Sequence, residues 1–212
     1  MKRDVRKFEQ EQLKLAKKVV KKDDIEEIRL VGGVDQTFDG NKVISAAVII
    51  DYATKKIIER KYVIVEAKIP YIPEFLSYRE SPAAVEAFLK LEKKPDVLMV
   101  DAHGTSHPRG IGMASHLGLL LDIPTIGVAK NILCGKLDHG KLYVDGKVKA
   151  RELITKEHAK PIYVSAGHRV CLKTSFEIAK NCVMLPHKLP EPLYQAHRYA
   201  RRILRENLKE NQ

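Results

Sequence analysis

The sequence predicts an α/β domain on a mixed sheet, an antiparallel meander joined to parallel strands, with helices on both faces. Two patterns carry that reading. Three strand-like runs, 28–35, 43–51 and 57–65, are separated only by the turn-forming segments Asp39-Gly40-Asn41 and Tyr52-Ala53-Thr54-Lys55, so they read as hairpins. Strand and helix patterns then alternate between Val97 and Val128, as in βαβ units. A chain of 212 residues with 44% apolar side chains can bury one proper core, and a single domain over 1–212 is expected.

Taken in order, Phe8, Leu13, Ala16, Val19 and Val20 recur at helical spacing among lysines and predict an outer helix over 8–20. The meander follows, its first strand closed by Asp35. Ser81 before Pro82 is a cap and first-turn signal, so a helix is expected over Ala83 to Leu91, stopped by Lys93-Lys94-Pro95, with Glu80 just ahead of it. The apolar run Val97-Leu98-Met99-Val100 reads as a buried strand closed by Asp101. A glycine-rich turn, a helix through about Leu121 and a strand at 125–128 complete the parallel part. Beyond it, strands are expected at 141–144 and 162–165, a helix at 172–183, a proline-bracketed link at 185–192 and a basic terminal helix.

The 38 Lys and Arg outnumber 27 Asp and Glu, a net charge of +11 that suits a partner carrying many phosphates. The charged start Met1-Lys2-Arg3-Asp4 lacks the apolar core of a signal peptide, and no apolar run approaches the roughly 20 residues of a membrane span. A cytoplasmic protein without membrane attachment is expected, and no feature calls for an obligate protein partner. Three cysteines, odd in number and without paired spacing, argue against a disulfide framework or a cysteine zinc site.

Within this basic chain, Asp35, Glu80 and Asp101 each fall at an expected element end, where ligands collect in open α/β sheets. Phosphodiester hydrolysis requires an acidified water and neutralisation of charge growing on the phosphate, and carboxylate-held divalent cations do both. Magnesium, a hard ion that keeps several waters, needs only one or two such carboxylates. Neighbouring strands lie roughly 5 Å apart, so Asp35 and Asp101 could share one ion. His103, His107 and His116 offer a zinc alternative, but no cysteine or fourth ligand accompanies them.

Acid on the first strand, acid at a helix after a three-strand meander and acid on the fourth strand is the arrangement of ribonuclease-H-like nucleases. The segments Val34-Asp35-Gln36, Pro70-Tyr71-Ile72-Pro73-Glu74-Phe75-Leu76-Ser77-Tyr78-Arg79-Glu80, Asp101 to Arg109, Ile123 to Lys130 and Gly167-His168-Arg169 resemble endonuclease V, in order and spacing, over about residues 30–195. The resemblance implies a ribonuclease-H-like fold and a magnesium-dependent nuclease, with manganese able to replace magnesium. It would act on DNA with deaminated bases, chiefly hypoxanthine, cutting the second phosphodiester on the 3′ side to leave 3′-hydroxyl and 5′-phosphate ends.

By the same resemblance, Asp35, Glu80 and Asp101 match the metal-site acids and Lys130 an active-site lysine, whose ammonium could offset charge on the scissile phosphate. Pro70-Tyr71-Ile72-Pro73 is similar to a wedge in which two prolines stiffen a loop that drives the tyrosine into the base stack. Leu76, His107, Gly112 and Gly127 fall among lesion-binding positions, and His197 resembles a residue of the terminal segment near the metal. Glycines such as Gly104, Gly110, Gly112 and Gly127 would admit backbone donors close to a flipped base or phosphate. The arginines at 198, 201, 202 and 205 would add a basic face for the nucleic-acid backbone. Two positions depart from the family's common glycine, Glu74 and Ala102. An inosine-specific ribonuclease and a non-cleaving inosine-binding module remain as alternatives.

Overall fold

The computed structural model describes residues 2–210; Met1, Asn211 and Gln212, the ends of the expected domain, lie outside the described residues. Helix α1 (Lys2–Ala16) precedes the meander β1 (Leu30–Asp39), β2 (Lys42–Asp51) and β3 (Ile57–Glu66). Then come α2 (Leu76–Leu89), β4 (Val97–Val100), α3 (Met113–Leu121) and β5 (Thr125–Ala129). The remainder is β6 (Lys136–Asp138), β7 (Lys141–Val144), β8 (Lys147–Leu153), β9 (Ile162–His168), α4 (Leu172–Asn181) and α5 (Glu191–Glu210).

One sheet runs β3-β2-β1-β4-β5-β9-β8-β7-β6. β1 pairs with β4 and β4 with β5 in parallel, and the other pairs are antiparallel. The two-residue period of β4 sorts its side chains between two cores. Val97 and Met99 join Phe176 and Ile178 of α4 and Leu193 and Ala196 of α5, while Leu98 and Val100 join Ala84 and Phe88 of α2 and Met113, Ala114 and Leu117 of α3. Helices therefore cover both faces. Among the described residues, no helix is long and apolar enough to cross a membrane.

Several element boundaries differ from expectation. β1 does not close at Asp35: its parallel pairing stops at Val34–Val100, but residues through Asp39 continue against β2. Asp35 thus stands where the parallel ladder ends and the hairpin runs on. Helix α2 starts at Leu76, so Glu80 lies inside it and Pro82 is an interior residue. Packing overrides the local cap signal here. Ser77, Glu80, Ser81 and Ala84 are buried, and that packing outweighs the cost of Pro82, which removes the N–H that would have reached the Tyr78 carbonyl and crowds that carbonyl with its ring.

Helix α1 ends at Ala16, and tighter bonds from Lys18 to Leu15 and from Val19 to Ala16 unwind it. Leu13, assigned to its core face, is 53% exposed, whereas the polar Gln12 is 2% exposed. Strands β6 and β8 lie outside the expected elements; β6 spans three residues, and the alternation of Lys147 to Arg151 in β8 is short, weakly apolar and broken at Glu152. α4 ends at Asn181, and Cys182, buried in the core, has its thiol pushed up to about 12 by burial. The three cysteines are free.

Candidate active site

The end of the parallel ladder opens into a cleft of about 680 Å³. Asp35, Glu80, Asp101, Lys130, Tyr71, Leu76, His107 and Gly112 line it; Pro70, Ile72, Pro73 and Gly127 do not. Each charged group arrives on a different element. Asp35 comes from β1, Glu80 from α2, Asp101 from the residue after β4 and Lys130 from the residue after β5.

His197 is brought in by close helix–sheet packing. A Cβ on Gly33 would lie 2.3 Å from the Pro192 backbone, so only glycine lets the start of α5 rest on β1 there. Gly33 and Asp35 share a face of β1 by the strand's two-residue period, and α5 extends along that face. His197, within α5, meets Asp35 with Nδ1 2.7 Å from Oδ2. His197 also lines a second groove, of about 510 Å³, together with Arg60, Arg198, Arg201, Arg202 and Arg205.

Among the described residues, one group of three His, Cys, Asp or Glu side chains can converge on a metal ion: Asp35, Asp101 and His197, with ligand atoms within 4.8 Å of one another. Two carboxylates and one imidazole suit a hard divalent ion that retains waters. His103, His107 and His116 form no such group. Glu80 stands outside the converging three but interacts electrostatically with Asp35 and Asp101.

Burial and like charge dominate the electrostatics. Burial, then Asp35 and Asp101, push the Glu80 carboxyl up to about 8. Burial and Asp35 push Asp101 up to about 6, against the pull of Lys130. Burial lowers the affinity of Lys130 for its proton, but its hydrogen bond and ion pair with Asp101, helped by Asp35, outweigh that and hold the ammonium above its ordinary range. Positive charge added beside Glu80 and Asp101 would favour their ionised forms.

The glycines serve packing. A Cβ on Gly112 would meet the His103 carbonyl at 2.2 Å, and one on Gly127 would meet the Gly104 nitrogen at 2.4 Å. Gly127 therefore keeps β5 close beneath the turn that carries His103 and His107. Gly110, with φ +70 and open space around it, is a turn residue. His107 does not reach the acids: its Nε2 lies 3.0 Å from the Glu74 carbonyl, and its Nδ1 accepts from the Arg109 N–H at 3.2 Å. Ala102 is buried and lines the cleft beside Asp101. Glu74 has φ +68, the left-handed region that glycine enters freely and that residues with a side chain adopt at a cost.

Gln12, Arg109 and Phe38 also serve the cleft, although the sequence assigns none of them a role. Phe38 lines the cleft, 41% exposed, with the Arg79 guanidinium 5.6 Å from its ring. Its only signal was an aromatic residue placed just before a turn. The contacts of Gln12 span 62 and 97 positions along the chain, a separation that no local pattern encodes.

A family profile for endonuclease V matches residues 13–198. The chain is 38% identical over 206 residues to the endonuclease V of Dictyoglomus turgidum, covering 93% of this chain and 90% of that one. It is 38% identical over 205 residues to that of Thermofilum pendens, covering 94% and 88%. Among solved structures, the catalytic domain of human endonuclease V superimposes with a TM-score of 0.89 at 28% identity, covering 99% of each chain. Endonuclease V of Ciona intestinalis, bound to a 24mer DNA containing an inosine followed by a ribo-adenosine, superimposes with a TM-score of 0.88 at 28% identity, covering 97% and 99%. The mixed sheet, with its meander, parallel core and flanking helices, is the ribonuclease-H-like fold of these structures. The chain belongs to the endonuclease V family and is a metal-dependent endonuclease.

Proposed function

We propose that this protein is a DNA repair endonuclease that recognises deaminated bases, chiefly hypoxanthine, and hydrolyses the second phosphodiester 3′ to the lesion, leaving 3′-hydroxyl and 5′-phosphate ends. The observation that carries the reading is the convergence of Asp35, Asp101 and His197 beside Lys130, in a cleft whose rim bears the exposed Tyr71.

Asp35, Asp101 and His197 would hold the divalent ion, magnesium with manganese able to replace it, and Glu80 lies close enough to add charge. Bound there, such an ion acidifies water and offsets charge on a transferring phosphate. Lys130 keeps its proton, so a permanent positive charge faces the scissile group from the Asp101 side. Without the ion, burial and the two aspartates raise the Glu80 carboxyl to about 8; a divalent charge beside it would favour the carboxylate form.

Tyr71, 67% exposed between two prolines, is the wedge. A stiff loop loses little entropy when it enters the stack, and a mispaired base lowers the few kcal/mol that unstacking costs. Ile72 and Leu76 flank the wedge, and His107, Gly112 and Gly127 shape the backbone around the extruded base. The groove of Arg60, Arg198, Arg201, Arg202 and Arg205 tracks the phosphate backbone and makes binding salt-dependent.

One observation favours a second reading, an inosine-directed ribonuclease: the Ciona intestinalis neighbour was bound to DNA in which a ribo-adenosine follows the inosine. The deciding experiment uses matched labelled duplexes, one with a single deoxyinosine and one with a single inosine in RNA, with magnesium or chelator, and Asp35→Ala alongside. Magnesium-dependent nicking of the DNA one nucleotide beyond the lesion, absent in the variant, supports the repair nuclease. Cutting of RNA alone transfers the activity to RNA, and binding without cutting removes the nuclease reading.

A further inference from the structure

Glu74 is a glutamate in a backbone conformation that carries a cost for any residue with a side chain, and such a conformation persists only where its surroundings impose it. Those surroundings are unusually complete. The Glu74 carbonyl accepts from Gln12 Nε2 at 3.0 Å and from His107 Nε2 at 3.0 Å. The direction of the second bond is fixed: His107 Nδ1 accepts the Arg109 backbone N–H, and burial holds the imidazole neutral with its pKa lowered to about 4, so Nε2 carries the proton. The Glu74 carboxylate pairs with the Arg109 guanidinium at 2.9 Å. That guanidinium also donates to Gln12 Oε1 and lies 4.7 Å from the centre of the buried Phe75 ring.

The other end of the same loop is tied as well, by the Ile69 carbonyl accepting from Arg79 Nη1 at 2.6 Å. Between these anchors Tyr71 stands exposed. We propose that Gln12, Glu74 and Arg109 are positioning residues: a brace that links helix α1 to the segment 70–75 and preorganises Tyr71 for entry into the base stack. The charge of Glu74 holds open a conformation that the residue would otherwise leave. Helix α1, though remote from the metal-site acids, is thereby part of lesion recognition. This rests on Tyr71 acting as the wedge of a lesion-directed nuclease.

The test combines amide hydrogen exchange over residues 70–75 with nicking kinetics on the deoxyinosine duplex, for Arg109→Gln, Glu74→Gly and the double variant. Arg109→Gln removes the ion pair and leaves the strained glutamate without its partner. Faster exchange at 70–75 is expected, with KM raised about tenfold, the equivalent of ~1.4 kcal/mol of loop ordering. The kcat should stay within about twofold, because the acids are untouched. In the Glu74→Gly background the backbone strain is gone, so Arg109→Gln should change KM much less. If Arg109→Gln does not fold, Gln12→Ala, which removes one donor to the Glu74 carbonyl, is read in the same way. Unchanged exchange, or an identical loss in both backgrounds, overturns the brace. If wild-type protein nicks no inosine substrate, the proposed function falls, and hydrogen exchange alone still decides whether the brace orders the loop.

Discussion

The acid cluster and the Tyr71 loop line the same cleft, yet they are held in opposite ways. Asp35 and Asp101 are placed by paired strands, where register leaves little freedom, and burial works against the charge of Asp101. The loop has no ladder to fix it and relies on side chains from α1, α2 and the turn after β4. Where backbone pairing sets position, the sequence can tolerate unfavourable charge; where it does not, favourable charge sets position. Perturbing the first region should damage chemistry, and perturbing the second should damage recognition.

The largest effect is expected from Asp101→Ala or Asp35→Ala, with single-turnover nicking of a deoxyinosine duplex falling on the order of 10³-fold. A normal rate would mean that the cluster is not the metal site. Lys130→Ala should lower kcat on the order of 10²-fold and leave KM nearly unchanged, since the ammonium acts on charge that grows during the reaction. A rise in KM alone would make it a binding residue.

Tyr71→Ala should act mainly on KM, by about tenfold, with stability altered by no more than ~0.5 kcal/mol because the ring is exposed. A change in kcat with an unaltered KM would erase the contrast between the two regions.

The smallest effect concerns stability. The Glu80 carboxyl is raised from 4.5 to about 8, so the folded state binds that proton more tightly than the unfolded chain. Its contribution is fully present below pH 4.5 and is lost as pH rises through 8. Metal-free protein should therefore melt lower at pH 8 than at pH 5, and Glu80→Gln should flatten that dependence, by about 2–4 °C for each kcal/mol involved. Added magnesium should raise the melting point of the wild type at pH 8. Parallel melting curves for variant and wild type would show that Glu80 is not the group responsible.

Strand positions were legible because burial on both faces leaves apolar runs such as Val97 to Val100, which Asp101 does close; Asp35 interrupts a similar run, but pairing with β2 carries β1 on to Asp39. The start of α2 was misread because Ser81-Pro82 carries a strong local signal that the buried face of the helix overrides. The charged strands β6 and β8 were invisible because they lack a continuous apolar face. For His197, the resemblance of the terminal segment implied proximity to the acids; its contact with Asp35, across 162 positions, depends on the fit of Pro192 against Gly33.

The sequence by itself determined the mixed α/β architecture, the excess of positive charge, and the order of three acids and a proline-flanked tyrosine along the chain, because periodicity, charge and motif order are local properties of the chain. Only the tertiary structure decided that His197 completes a converging trio with Asp35 and Asp101, and that Gln12 and Arg109 hold a strained Glu74 beneath Tyr71. These depend on packing between segments far apart in the chain, where a few tenths of an ångström at one glycine or one guanidinium separate contact from none.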